Sequence, residues 1–101
     1  MTRRLELHEL LCSLLGSRNV YFQPPPTVKM KYDCIVYHLD NVDVKHADDT
    51  GYIKNKKYSV TYISKDPDST LWESILELPS CSFNRFYTAD NLNHWVLTLY
   101  F

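Results

Sequence analysis

The chain has 101 residues, 45% of them apolar and 23% charged, with a formal net charge of −1. A chain of that length is near the commonest domain size and buries roughly two-thirds of its unfolded surface, enough for one core without metal or disulfide staples. The near-neutral balance supplies no overall basic field for nucleic acid, no apolar run reaches membrane-spanning length, and 14% aromatic residues with only two glycines argue against disorder.

Leu7, Leu10, Leu11, Leu14 and Leu15 recur at helical spacing, which predicts a first helix over about residues 3–15 with Thr2 as its cap and Gly16 just past its end. Two arginines ahead of this leucine-rich run resemble the start of a signal peptide. Glu6, His8 and Glu9 interrupt the run and no A-x-A site follows, so no targeting role is expected. "NVYFQPPP" starts as a weak strand at Val20–Phe22 and runs into Pro24, Pro25 and Pro26, which stiffen it into an extended connector.

"KMKYDCIVYHL" (Lys29 to Leu39) and "KKYSVTYISK" (Lys56 to Lys65) are rich in β-branched and aromatic residues and read as strands, the second with Tyr58, Val60 and Tyr62 on one face. The stretch between them is long for a hairpin connection, so part of it is expected to extend the strands, leaving a polar tip around Lys45 to Gly51. "DPDSTLWESILELP" offers Ser69 or Thr70 as a helix cap and the apolar stripe Leu71, Trp72, Ile75 and Leu76, with Pro79 as its stop. Two more strands, about residues 82–89 and 94–101, flank the turn "ADNLN". The expected fold is a single α+β domain over residues 1–101: a mostly antiparallel β-sheet with two helices packed on it, in the order α-β-β-β-α-β-β.

Catalytic patterns are weak. Cys12, Cys34 and Cys81 are odd in number and form no CxxC pair, so they read as small core residues of a reducing cytoplasm. Cys34 or Cys81 with His38, His46 or His94 as base would make a nucleophile pair, yet nothing in the sequence activates either thiol. "HADD" (His46 to Asp49) with Asp40 and Asp43 lacks calcium-loop and zinc-helix spacing and reads as a solvated acidic stretch. Tyr32, Tyr37, Tyr58, Tyr62 and Tyr87 would suit an RNA-stacking sheet, but the nearby lysines are offset by aspartates. No cofactor, metal or enzymatic activity is expected.

The last strand carries Trp95, Leu97, Leu99 and Phe101 on one side and Val96, Thr98 and Tyr100 on the other. Two helices can cover only one of these faces, so self-assembly or a partner is the expected cover for the rest, unless another strand or the proline segment provides it. "PPPTVKMKYDCIVYHLDN", "YSVTYISKDPDS" and "LPSCSFNRFYTADNLNHWVLTLYF" resemble a family of small proteins from tailed-phage and prophage structural modules, the tail terminator (tail-completion, or tail-to-head joining) proteins. The chain departs from that pattern at Asp33 and Gly51, where proline is expected.

The resemblance implies a homo-oligomeric ring, usually a hexamer, at the tail–head junction of the virion, made in the bacterial host cytoplasm. Such a ring sits on the tail tube protein, ends its polymerisation and presents a surface to the head–tail connector. DNA passes through it without specific binding, and no membrane is involved. On this view Trp95, Leu97, Leu99, Tyr100 and Phe101 contact neighbouring subunits or the tube, and Asp40, Asp43, Lys45, His46, Asp48 and Asp49 line the channel. Four aspartates against one lysine in that stretch would repel a passing phosphate backbone. A head-completion or connector adaptor protein of the phage neck, or an unrelated cytoplasmic binding module, is the alternative.

Overall fold

The computed structural model describes residues 3–24, 29, 31–47 and 50–101, and only the backbone for residue 3, 43–47 and 50–55. Helix α1 (Arg3–Leu15) is followed by β1 (Val20–Phe22), β2 (Cys34–Ala47), β3 (Thr50–Ser64), α2 (Leu71–Leu76), β4 (Cys81–Ala89) and β5 (Leu92–Tyr100). The strands form one sheet in the order β1-β2-β3-β5-β4. Only the β1–β2 pairing is parallel. The α+β class, the two helices and the element order are those read from the sequence.

Helix α1 ends where expected. Gly16 takes φ +78, and its N–H bonds back to the Cys12 carbonyl at 2.9 Å, closing the last turn in a left-handed conformation that a side chain would strain. Leu7 and Leu11 are fully buried. Helix α2 is short, and Thr70 at its start makes no capping bond. The other candidate cap, Ser69, instead pairs its hydroxyl with that of Tyr62 at 2.8 Å.

The strands differ from expectation at their ends. β2 begins at Cys34 rather than Lys29, because the antiparallel register with β3 starts at Cys34↔Ile63, and beyond it the Lys65 N–H is taken by Asp33 Oδ1. At the other end both strands run on to the pair Ala47↔Thr50, and the two residues between them, Asp48 and Asp49, lie outside the described ones. The β4–β5 turn is two residues long. Asp90 (φ 52) and Asn91 (φ 61) both adopt the left-handed conformation that a tight twisted hairpin requires.

Both helices lie on one face of the sheet. Leu7, Leu11, Cys12 and Ile75 pack there with Ile35, Tyr37, Tyr58, Val60, Tyr62, Trp95, Leu97 and Leu99. Each fully buried aliphatic side chain of this kind contributes about 1.5–3 kcal/mol of burial free energy. Phe83 and Phe86 of β4 belong to the same face, against Trp72 and Trp95. Among the described residues no helix covers the opposite face, where Val36, Thr61, Thr98, Arg85 and Tyr87 lie.

Candidate functional site: the projecting arm and the sheet edges

Strand β5 supports β3 only as far as the pair Lys57↔Tyr100. Beyond it, apart from the Phe101 N–H on the Lys56 carbonyl, β2 and β3 continue with no third strand among the described residues from Val42↔Lys56 to Ala47↔Thr50. Six such pairs, at about 3.4 Å of rise each, make a two-stranded arm about 20 Å long. The protein measures 51 Å along its longest axis against 26 and 23 Å across.

Two irregularities shape the arm. A register shift between Leu39 and Asn41 places Asp40 as an extra residue at its base, and a second lies between Asp43 and Val44. Such shifts bend a ribbon and raise its twist. Asp40 is exposed, and its Oδ2 lies 3.3 Å from Lys57 Nζ, so one of the expected channel carboxylates is already partnered at the arm's root. Asp43, Lys45 and His46 follow along β2 of the arm, where the described backbone assigns them to one strand; Asp48 and Asp49 lie outside the described residues.

The last strand corrects the sequence reading. Trp95, Leu97 and Leu99, expected to contact partners, are 5%, 0% and 0% exposed and belong to the subunit's own core. The physical reason is the sheet order: β4 pairs along the far side of β5, so β5 is an interior strand with helices over it. Tyr100 is exposed on the helix-free face, whereas Phe101 packs half-buried against the core and its N–H bonds to the Lys56 carbonyl.

Exposure has moved one strand over, to β4. Every residue from Ser82 to Ala89 is exposed, including Phe83 at 44% and Phe86 at 48%. On the helix-free face Tyr87 stacks on His94 with ring centroids 4.5 Å apart, and the Arg85 guanidinium lies 5.2 Å from the Tyr87 ring. The strand itself is expected from the sequence over about residues 82–89, but its exposed aromatic face is not, because Asn84 sits at a register shift that breaks the alternation of "CSFNRFYTA". Only the aromatic density of β4 could have flagged it.

The tyrosines considered for base stacking divide by burial. Tyr37, Tyr58 and Tyr62 lie under the helices, while Tyr32 and Tyr87 are exposed. Tyr37 anchors α1, since its hydroxyl lies 2.8 Å from His8 Nδ1 and 3.5 Å from Arg4 Nη1. Cys34 is fully buried; burial foremost, then the nearby Asp33 charge, pushes its thiol up to about 11, opposite to what a nucleophile needs. Burial also raises the Cys81 thiol. A cleft of about 680 Å³ between the end of α1 and the start of α2 is lined by Asp33, Asp66, Asp68, Tyr62, Ser69 and Ser74 among others. Its polar groups are engaged locally: Asp33 holds the Lys65 N–H, Asp66 the Asp68 N–H, and Tyr62 pairs with Ser69. Among the described residues no cluster of three metal-ligating side chains occurs, and no helix is long and apolar enough to cross a membrane.

Comparison with protein-family models, with curated proteins and with solved structures returns no match.

Proposed function

We propose that this chain is a non-enzymatic assembly protein of a tailed phage or prophage, a tail terminator that forms a ring on the tail tube, ends its growth and joins tail to head. The observation that carries the reading is the arm. Among the described residues this two-stranded ribbon leaves the sheet without a third strand, and a hairpin of this kind is marginal alone in water. A ring gives it a place: arms from neighbouring subunits converge on the channel, and the aspartate-rich stretch from Asp40 to Asp49 keeps the DNA from adhering as it passes.

The sheet edges support the same reading, because exposed aromatic β4 is a hazard for a free monomer and a resource for an assembling one. The partners are then further copies of the chain, the tube protein below and the head–tail connector above, with the virion's tail–head junction as the location. The test is to add the purified protein to elongating tail-tube protein from the same phage module. Tubes are expected to stop growing and to carry a cap at one end. Unchanged elongation with no protein bound at tube ends contradicts the proposal.

A further inference from the structure

The two edges of the sheet fit each other. Across the sheet β2 runs one way, β3 the other, β5 with β2, and β4 with β3. In a ring whose copies all point the same way along the axis, β4 of one copy therefore meets β2 of the next antiparallel, the more stable pairing. Among the described residues both edges are long and unpaired: β4 pairs with β5 alone over Cys81–Ala89, and β2 has no strand on its outer side after the pair Phe22↔Tyr37 although it continues to Ala47.

The backbone donors of the β2 edge are already held by substitutes for a strand. Gln23 continues the line of β1, its N–H bonding to the Tyr37 carbonyl, and its Oε1 accepts the Leu39 N–H at 3.2 Å. The extra residue at Asp40 moves the next outward position to Val42, and there Asn41 Oδ1 accepts the N–H at 2.8 Å. Two side-chain amide oxygens thus occupy the places that carbonyls of an added strand would take, and replacing one amide oxygen by another is close to neutral in free energy.

The side chains agree. On the helix-bearing face the exposed apolar residues at these edges are Leu39 on β2, 40% exposed, and Phe83 and Phe86 on β4. Joined, they become cross-strand neighbours on one face. β4 carries one charge, Arg85, which makes no ion pair among the described residues, and the facing edge supplies the exposed Asp40, whose carboxylate can be shared between Arg85 and Lys57. β4 also lacks the lysine and proline with which edge strands usually discourage pairing.

We infer that β4 of one copy adds antiparallel to the free edge of β2 of the next, so that the sheet runs unbroken from subunit to subunit. The inference rests on the ring reading and names the surfaces that build it. The contact is heterologous, each copy using two different edges, which generates a ring when the rotation closes. Closure removes both edges at once.

The test measures the mass of the full chain by light scattering during size-exclusion chromatography. Val42→Pro deletes an outward donor without touching the β3 ladder, and Phe86→Lys charges the β4 edge. The wild type is expected as a multi-subunit species and each variant as a monomer with unchanged circular dichroism. An equimolar mixture of the two variants is expected to form a dimer and stop, because one chain keeps its β4 and the other its β2 edge. Should Val42→Pro lose its folded spectrum, Leu39→Lys blocks the same edge. Variants that keep the wild-type mass overturn the edge pairing while leaving the ring reading intact, and a mixture that stays monomeric overturns the heterologous joint. A wild type that stays monomeric at every concentration, alone and with tube protein, overturns both.

Discussion

Replacing Leu97 by alanine should destabilise the isolated subunit severely. Leu97 is fully buried between Val60 on β3 and Phe83 on β4, beneath the helices. Three carbons are lost, worth about 2.4 kcal/mol at about 0.8 kcal/mol each. The neighbouring strands are fixed by their ladders on both sides and cannot close the gap fully, so the residual cavity brings the total to about 3–4 kcal/mol. For a domain of this size, about 4–8 °C per kcal/mol lowers Tm by roughly 12–30 °C. Tyr100→Ala, on the same strand but exposed, should change stability by less than about 1 kcal/mol. The assay is thermal and urea unfolding followed by circular dichroism, repeated over a range of protein concentrations to separate folding from association. A Leu97→Ala protein within about 1 kcal/mol of wild type would refute the placement of β5 in the interior.

Three further outcomes rest on the same fold. Burial, then the Arg18 and Arg4 charges, hold the His8 pKa below its ordinary 6.5 against an opposing contribution from Glu9, so the unfolded chain binds the proton more tightly than the folded one. Stability is therefore full above pH 6.5 and falls as the pH drops below it towards the folded value; urea midpoints measured between pH 7.5 and pH 5 should decline in the wild type and flatten in His8→Gln, which keeps an acceptor for the Tyr37 hydroxyl. Cys34 should stay unmodified by iodoacetamide at pH 8 in the native protein and react only after denaturation, as read by mass spectrometry. Asn91→Gly should raise stability by about 0.5–1 kcal/mol, since glycine adopts the left-handed turn conformation without the strain asparagine carries there; a lower urea midpoint in the variant would count against that turn.

The parts of the fold that local chemistry dictates were legible in the sequence. Leucine spacing and Gly16 bounded α1, because both signals act within one or two turns of chain. Alternation put Tyr58, Val60 and Tyr62 on one face, and that face is buried in the core. What could not be read was lateral order. Which strand lies inside a sheet depends on pairings between residues distant in sequence, and the more apolar β5, read alone, shows neither of its neighbours. Trp95, Leu97 and Leu99 therefore read as interface residues although the subunit's own helices cover them, while the shift at Asn84 masks the exposed pair Phe83 and Phe86. The arm was half legible: its length was anomalous for a loop, but the polar residues of "DNVDVKHADD" concealed that the ladder runs through them to Ala47. The outward donors at Leu39 and Val42 could not have been foreseen, since they depend on where β1 stops and on the extra residue at Asp40.

The central claim is that this protein ends the tail tube, and the length of the tail reports on it most directly. Silencing the gene in the phage or prophage that carries it and imaging the lysate by negative-stain electron microscopy should show full heads beside overlong, headless tails. Tails of normal length beside leaking or unattached heads would move the protein to the head side of the neck, and normal particles would contradict the account.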